Sequence, residues 1–371
     1  MKKPLISVIV TTYNTAEYLR TCLDALIHQT LKDIEIICVD DNSTDHTLDI
    51  IQEYLKKDSR IRLLQTTQNS GISACRNLGL ESAKADYVMF CDGDDYYEPT
   101  ACEKMHHAVT SHHTDIAINE INVIYQAHAD MRVSDDNYYA LRYNGLQVIN
   151  ENLIFYTDLS PTNKIFKKSI IEQYNLTFPT GRHFEDAYFC TAYLCACQTA
   201  YYINERLYNY IRHEGSIMSQ TWSTNDGPDY AIDHLYIAFE LYDFLIKNRL
   251  YDKHHQLYWR LFASFESFAI NNSKSRSRVK EVKAAARTFI KAHQADFNQE
   301  KINNGTICEE IIHLSSSKFY ISTTRLKRII IKFMPTYRIE VENIQRLRTL
   351  KTKNKRLLQD MQSILDKLHE S

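Results

Sequence analysis

Residues 69–95 read NSGISACRNLGLESAKADYVMFCDGDD, and this stretch decides the fold of the first part of the chain. Its first half spaces apolar residues as a helix does, so we predict a helix over residues 71–84. The apolar run Tyr87–Cys91 then predicts a short buried strand. Four residues follow this strand directly, Asp92, Gly93, Asp94 and Asp95. The stretch therefore predicts one helix-and-strand unit of an α/β fold that ends in an acidic turn.

The residues before this stretch repeat the same alternation. Apolar runs predict strands over 5–12, 34–39 and 61–64, and helical spacing predicts helices over 15–29 and 45–57. Asn14 is a residue type that caps helix N-termini, and we place it before the first of these helices. Strands that alternate with helices in units of this size predict a parallel sheet with right-handed crossovers.

The pattern is weaker after residue 100 and becomes helical after residue 229. We predict strands over 116–118 and 123–125, a loop over 129–145, a strand leading into a helix over 163–176, a helix over 184–198 and a strand over 201–212. Three further helices are predicted over 229–250, 254–271 and 279–294. The predicted organisation is an α/β domain at 1–225, a helical region at 226–320, a basic apolar linker at 321–338 and a heptad helix at 339–371.

Residues 339–371 carry the sharpest repeat of the chain. The repeat positions alternate steps of three and four along Leu347, Leu350, Asn354, Leu357, Met361, Ile364 and Leu368. Such a seam predicts a coiled coil, and Asn354 at a core position favours two parallel strands and hence a homodimer. Because residues 320–371 are strongly basic, the same tail also fits a helix that lies on an anionic membrane surface. Both interpretations stay open.

The composition is that of a globular protein. Of the 371 residues, 44% are hydrophobic and 24% are charged, which excludes a mainly disordered chain. The net charge is only -2, but residues 1–110 are clearly acidic. That excess disfavours nucleic acid as a partner and fits a site for a divalent cation. The nine cysteines have irregular spacings that predict reduced core thiols, and so a protein in the cytoplasm or on the inner face of the cytoplasmic membrane.

The acidic turn after Tyr87–Cys91 is the strongest chemical signal. Residues two apart in an extended chain face the same way, so Asp92 and Asp94 can point together. They lie where a parallel strand ends, and ligands of open α/β sheets bind at those ends. Neighbouring carboxylates raise each other's pKa unless a cation lies between them. The turn therefore predicts a site for Mg²⁺ or Mn²⁺ with substrate phosphates, and an acidic surface turn is the alternative.

Two other strands also end in polar residues. Asp40, Asp41, Asn42 and Ser43 follow the second strand, where a carboxylate can accept hydrogen bonds from a nucleotide base or a ribose, or cap the next helix. Thr11, Thr12, Tyr13 and Asn14 follow the first strand. Tyr13 can stack on a base, or it can be a core residue.

In combination, these motifs resemble the inverting glycosyltransferases of family 2, which have the GT-A nucleotide-diphospho-sugar transferase fold. The matching text is SVIVTTYN at 7–14, EIICVDDNSTDHT at 35–47 and the whole of residues 69–95. Later matches are Asn163-Lys164-Ile165-Phe166-Lys167, Phe184-Glu185-Asp186 and Tyr210-Ile211-Arg212-His213. The resemblance covers roughly residues 5–220. It implies a GT-A domain with a mostly parallel sheet, followed by a helical C-terminal region.

The resemblance also implies which residues bind the donor. Tyr13 and Asp41 would contact the uracil of a nucleotide sugar, with Thr11 at the wall of the pocket. Asp92 would lie near the ribose, and Asp95 would orient the donor sugar or support the neighbouring Asp94.

The remaining roles concern the diphosphate and the reaction. Asp94 would bind the metal ion that bridges the diphosphate, and His213 would complete that metal site. Arg76 would reach the phosphates or the sugar of the donor, and Arg212 would hold the diphosphate. Asp186 would be the catalytic base, which takes the proton from the acceptor hydroxyl.

The function implied is a metal-dependent transfer of a hexose or N-acetylhexosamine from a UDP-sugar to a glycan or lipid-linked glycan in bacterial surface polysaccharide synthesis. One alternative is a nucleotide-sugar-binding module without turnover. Another is a nucleotidyltransferase, although such enzymes usually carry a glycine-rich phosphate loop with a basic residue after the first strand. Thr12-Tyr13-Asn14 has neither feature.

Overall fold

The structure is a computed structural model. It describes residues 3–127, 130–133, 143–213, 229–303 and 307. The predicted linker at 321–338 and the predicted heptad helix at 339–371, with the dimer or membrane contact expected of it, lie outside the described residues. So does residue 225, where the predicted α/β domain ends.

The first part of the chain alternates strands and helices, as predicted. Its elements are β1 (Ile6–Thr12), α1 (Leu19–Ile27), β2 (Ile34–Asp40), α2 (Thr47–Lys57), β3 (Ile61–Gln65), α3 (Ile72–Ser82) and β4 (Tyr87–Asp92). The prediction that Asn14 caps the first helix is wrong, because α1 begins only at Leu19. Asn14 has a left-handed backbone with a φ of 53°, and its Oδ1 accepts a hydrogen bond from the backbone N of Thr44 at 2.8 Å.

The middle of the chain differs more from the prediction. Its elements are β5 (Tyr96–Tyr97), α4 (Ala101–Ser111), β6 (Ile116–Ala127), β7 (Asp130–Val133), β8 (Gly145–Val148), α5 (Glu151–Tyr156), β9 (Lys164–Lys167), α6 (Lys168–Gln173), α7 (Glu185–Ala196) and β10 (Thr199–Arg212). The strands predicted at 116–118 and 123–125 are one strand, β6, and β7 lies within the predicted loop. The predicted strand-to-helix unit, helix and closing strand are confirmed as β9 with α6, α7 and β10.

Helices make up the last described part, as predicted. They are α8 (Asp233–Lys247), α9 (Tyr251–Asn272), α10 (Arg276–Ala292) and α11 (Gln294–Asn303). In the described parts of the chain, no helix combines the length and the apolar character that crossing a membrane requires.

One mixed sheet organises the α/β part, with the strand order β3-β2-β1-β4-β9-β6-β10-β5. Strands β1 to β4 are parallel, which confirms the predicted parallel pairing, and β9 pairs antiparallel with β4. The register places Thr12 beside Asp40 and Thr11 beside Asp92. The polar residues that follow β1, β2 and β4 therefore meet at one edge of the sheet, where parallel strands present their ligand-binding ends.

The core lies between this sheet and its helices. Every residue of β1 and of β2 is buried, which is why these strands read as mainly apolar runs. Helix α3 packs closely on β1, because a Cβ on Gly79 would come within 2.4 Å of Cγ2 of Ile9. The described cysteines are all unpaired and buried, as predicted: Cys22, Cys38, Cys75, Cys91, Cys102, Cys190, Cys195 and Cys197.

Candidate active site

The loops after β1 and β2 are clamped to each other. Asn14 donates its backbone N–H to Oγ of Ser43 at 3.0 Å, while its own side chain accepts from Thr44. The clamp leaves Tyr13 at the tip of its loop, with 45% of its surface exposed. The alternative that Tyr13 is a core residue is therefore wrong, and its ring is available to a ligand.

Asp41 holds the loop that leads into α3. Its Oδ1 accepts from the backbone N of Ser70 and from Oγ1 of Thr66, both at 2.8 Å. Its Oδ2 accepts from the backbone N of Gly71 at 2.8 Å. The side chain is buried, and both oxygens already have protein donors. A nucleotide base that contacts Asp41 would therefore bind a carboxylate that also holds the loop before α3.

Arg76 lies at the centre of the site between two carboxylates. Its Nη2 donates to Oδ1 of Asp92 at 3.1 Å, and its Nη1 donates to Oε1 of Glu185 at 2.7 Å. Thr11 adds a bond from Oγ1 to the same oxygen of Asp92 at 3.1 Å. Burial opposes the charge of Arg76, but Asp92, Glu185 and Asp186 outweigh it and raise the pKa of the guanidinium. The arginine is therefore a permanent cation that joins β4 to α7.

Gly93 lets the acidic turn lie against the end of β1. Its backbone N donates to the carbonyl O of Thr11 at 2.9 Å. A Cβ at this position would lie 2.8 Å from Cγ2 of Thr12 and 3.0 Å from the carbonyl O of Thr11. The first contact is shorter than real Cβ atoms show and the second is tighter than most, so an alanine at this position would force Thr12 or the turn to shift.

Asp94, in this turn, is in contact with His213. Oδ2 of Asp94 lies 3.0 Å from Nε2 of His213, and both side chains are partly buried. The imidazole stacks on the ring of Tyr18 with the ring centroids 4.5 Å apart, which fixes its plane. Among the described residues, no group of three or more His, Cys, Asp or Glu side chains is arranged to hold a metal ion. The protein can thus offer one carboxylate oxygen and one imidazole nitrogen.

Asp95 lies beneath the turn and binds strand β10. Oδ2 accepts from the hydroxyl of Tyr208 at 2.6 Å, and Oδ1 accepts from the backbone N of Ile211 at 2.7 Å. Burial raises the pKa of Asp95 well above its usual range, and the nearby Asp94 and Asp92 add to the effect. Because only 2% of Asp95 is exposed, its contacts suit support of Asp94 better than orientation of a donor sugar.

Arg212 occupies the end of β10 beside two aromatic rings. Its Nη1 donates to the hydroxyl of Tyr125 at 2.8 Å. The guanidinium carbon also lies 5.4 Å from the ring centroid of Tyr125 and 5.6 Å from that of Tyr210. Such stacking keeps the cation oriented at the same end of β10 as His213.

Asp186 is the second residue of α7. Its Oδ1 accepts from the backbone N of Ala187 at 2.8 Å. Desolvation raises the pKa of Asp186 to about 7, Glu185 adds to the shift, and Arg76 works against it. The preceding residue, Phe184, has a left-handed backbone with a φ of 66°, which costs a bulky residue about 1–3 kcal/mol. Strain of this kind, beside a carboxylate that titrates near neutrality, is typical of a catalytic site.

Two contacts made by the expected site residues could not be predicted from the sequence. The ion pair from Arg76 to Glu185 and the bond from Tyr208 to Asp95 join segments far apart in the chain. Tyr18 and Tyr125, which orient His213 and Arg212, occupy positions that sequence alone cannot distinguish from ordinary packing positions. The structure places most of the expected residues at one edge of the sheet, with Arg76 on α3 and Asp186 at the start of α7.

Known proteins share this fold. Staphylococcus aureus TarS, solved in complex with UDP-GlcNAc, superposes with a TM-score of 0.54 at 22% identity over 81% of this chain and 92% of that chain. The chain therefore has the GT-A fold.

Sequence comparison assigns the family. The model of glycosyl transferase family 2 matches residues 7–174. The glycosyltransferase GlyG of Streptococcus pneumoniae is 30% identical over 229 residues, which are 58% of this chain and 73% of GlyG. The chain belongs to glycosyltransferase family 2. The glycosyltransferase GlyA of the same organism is 34% identical over 230 residues, but the chain spans only 32% of its length.

Proposed function

We propose that the chain is a metal-dependent inverting glycosyltransferase that moves a hexose or an N-acetylhexosamine from a UDP-sugar to a hydroxyl of a glycan or lipid-linked glycan. The observation that carries this proposal is the carboxylate of Asp186. A pKa of about 7 makes a carboxylate a stronger base than usual, and a base of that strength can accept the proton of an acceptor hydroxyl. The resemblance to bacterial enzymes of this family supports a role in surface polysaccharide synthesis.

The pairing of Glu185 supports inversion at the anomeric centre. A double displacement needs a second carboxylate that is free to attack the sugar, and retention is its result. Glu185 is buried and paired with Arg76 at 2.7 Å, so its carboxylate is not free to attack the sugar. Asp186 alone is left at this end of α7, and one base supports a single displacement.

The donor class is supported by the residues at the edge of the sheet. The exposed ring of Tyr13 offers a stacking surface for a base, and Arg212 offers positive charge for a diphosphate. The UDP-GlcNAc complex of TarS, which shares the fold, makes UDP-sugars the donors to test first.

Asp94 and His213 fit a divalent cation of the Mn²⁺ or Mg²⁺ class. Such an ion usually takes one or two protein ligands and fills its other positions with water and substrate phosphates. The two side chains, 3.0 Å apart at Oδ2 and Nε2, can provide those protein ligands. When bound, the ion would stabilise the negative charge that develops on the leaving diphosphate. Tyr18 keeps the imidazole plane fixed, and Asp95 keeps the turn in place.

Release of UDP tests the proposal directly. The full chain is incubated with UDP-glucose, UDP-galactose, UDP-GlcNAc or UDP-GalNAc, together with a panel of mono- and oligosaccharides whose hydroxyls can accept the sugar, in Mn²⁺, in Mg²⁺ or in a chelator. We expect metal-dependent release of UDP with at least one donor, and its loss in Asp186→Asn. Binding of UDP without release from any donor would favour the binding module. Pyrophosphate release from UTP and a sugar 1-phosphate would favour the nucleotidyltransferase.

Residues 339–371 are proposed to pair with a second copy of the chain through their heptad seam. Light scattering on the full chain and on a chain that ends at Pro335 tests this. Equal masses per particle would rule out the tail as the dimerisation element. Binding of only the full chain to anionic vesicles, as a monomer, would support the membrane alternative.

A further inference from the structure

The loop of residues 182–184, directly before α7, is bound to helix α8. The backbone N of His183 donates to Oδ2 of Asp233 at 3.0 Å. Nε of Arg182 donates to Oε1 of Glu240 at 2.9 Å. Since Asp233 and Glu240 lie on the same helix, two successive loop residues are held by α8 through polar contacts.

Ring contacts hold the third residue of the loop. The ring of Phe184 lies 3.6 Å, between centroids, from the imidazole of His234. His234 is itself buried and stacks on Phe268 of α9 at 3.9 Å. Burial lowers the pKa of His234 to about 3, so at neutral pH it packs on Phe184 as an uncharged ring.

The conformation of Phe184 decides where Asp186 lies. Phe184 immediately precedes α7, and its carbonyl O accepts from the backbone N of Ala187 at 3.1 Å. The same N–H also bonds the carboxylate of Asp186 at 2.8 Å. A left-handed phenylalanine persists only where its surroundings hold it. On its N-terminal side, α8 holds His183 through Asp233, and it holds the ring of Phe184 through His234. On its C-terminal side, Arg76 of α3 holds Glu185.

We propose that Asp233 is a positioning residue for Asp186. By accepting the backbone N–H of His183, it keeps Phe184 left-handed and so fixes the start of α7. The inference rests on the proposed function only in calling Asp186 the base. The family model ends at residue 174, whereas these contacts come from residues 233–268. The helices after residue 228 thus contribute to the site rather than only covering the α/β part.

Carboxyl ¹³C NMR of the full chain, labelled at aspartate, tests the proposal without any substrate. The resonance missing from Asp186→Asn identifies Asp186, and its titration is then followed in Asp233→Ala. The charged groups that face Asp186 are Glu185, Arg76 and Asp92, and none of them is changed. We expect the apparent pKa of Asp186 to fall by about one unit, because the released loop admits water to the carboxylate.

Two matched variants separate positioning from general damage. Asp233→Asn still presents an oxygen to the N–H of His183 and should titrate like the wild type. Asp252→Ala removes an exposed carboxylate from the first turn of α9, away from the loop, and should also leave Asp186 unchanged. If Asp233→Ala does not fold, Asp233→Ser replaces it, because serine starts a helix well but is too short to reach His183.

The outcomes are distinct from those of the proposed function. Calorimetry with UDP should show unchanged affinity in Asp233→Ala, and release of UDP from an active donor should fall at least tenfold in rate with little change in KM. A folded Asp233→Ala protein in which Asp186 titrates as in the wild type overturns the proposal. Absence of UDP release from every donor in the wild type would overturn the proposed function and leave the NMR result standing.

Discussion

Arg76 and Glu185 are 109 residues apart in the chain, yet Nη1 of the arginine lies 2.7 Å from Oε1 of the glutamate. The same guanidinium binds Asp92 at the end of β4, and only 3% of the arginine is exposed. One buried cation therefore joins the acidic turn, on which the donor is proposed to bind, to the helix that carries the proposed base. The two halves of the site are held in one arrangement by this ion pair.

Replacing Arg76 tests that arrangement. Arg76→Met keeps much of the volume but leaves Asp92 and Glu185 without their cation. Breaking a buried pair in this way costs about 3–5 kcal/mol, so the free energy of unfolding in urea should fall by that order. Arg76→Lys keeps the charge without the fork that reaches both carboxylates and should recover only part of the loss.

A matched control is the exposed pair of Arg20 with Glu53, which lies 2.7 Å apart on the surface. Arg20→Met should change the unfolding free energy little, because water screens such pairs. Equal losses in the two methionine variants would contradict the importance given to burial of Arg76.

The pKa of Asp186 predicts how activity varies with pH. A base must be deprotonated, so turnover should rise with pH through about 7 and then level off. Asp186→Asn should lose about 10²–10⁴-fold in rate, while calorimetry shows unchanged affinity for UDP. A variant that keeps wild-type turnover would show that another group takes the proton.

The same pKa predicts an effect on stability. Asp186 binds its proton more tightly in the folded protein than in the unfolded chain, so its contribution to stability falls as pH rises from about 4 to about 7. Asp186→Asn should therefore have a larger unfolding free energy than the wild type above pH 7. The difference should shrink towards pH 4, and denaturation at the two pH values measures it. A difference independent of pH would argue against a raised pKa.

Gly93→Ala should damage both stability and turnover. The added Cβ would meet Cγ2 of Thr12 and the carbonyl O of Thr11, and overpacking of this kind costs about 1–3 kcal/mol. The turn that carries Asp92 and Asp94 must then shift. Thermal unfolding and UDP release measure the two effects. The double variant Gly93→Ala with Thr12→Ser removes Cγ2 and should restore part of the stability, and no restoration would mean that the backbone contact dominates.

Removing the proposed metal ligands should abolish the effect of the metal ion on donor binding. In Asp94→Ala we expect UDP to bind with the same affinity with and without Mn²⁺ in calorimetry, whereas the wild type should bind more tightly with Mn²⁺. His213→Ala should reduce that difference, and Tyr18→Leu, which only frees the imidazole plane, should reduce it less. If the wild type binds UDP with the same affinity with and without Mn²⁺ or Mg²⁺, the metal has no part in donor binding.

Much of the α/β part could be predicted from the sequence, because β1 and β2 are buried on both faces and therefore read as mainly apolar runs. The middle was harder. The polar residues Asn119 and Glu120 interrupt the apolar pattern of β6, and the short helix α5 spans only Glu151–Tyr156. These elements are set by pairing with distant strands and by packing, which periodicity does not show.

In the candidate site, too, local patterns could be predicted from the sequence and long-range contacts could not. The sequence predicts the acidic turn at the end of β4, because a strand followed by carboxylates is a local pattern. The partners of those carboxylates were not predictable. Arg76 meets Glu185, and Tyr208 meets Asp95, only because α3, β4, α7 and β10 come together in the folded chain. The predicted helix cap at Asn14 is wrong because its side chain accepts a hydrogen bond from another loop rather than from the helix that follows it.

The buried cysteines of α7 can report local unfolding of the protein. Cys190 and Cys195 lie on α7, the helix that begins with Glu185 and Asp186, and burial raises the pKa of both thiols to about 12. Only an exposed thiolate reacts with an alkylating reagent, so each of these thiols is labelled only when its surroundings unfold. The rate of alkylation at the two positions, read by mass spectrometry, therefore measures how often the helix that carries the proposed base unfolds locally.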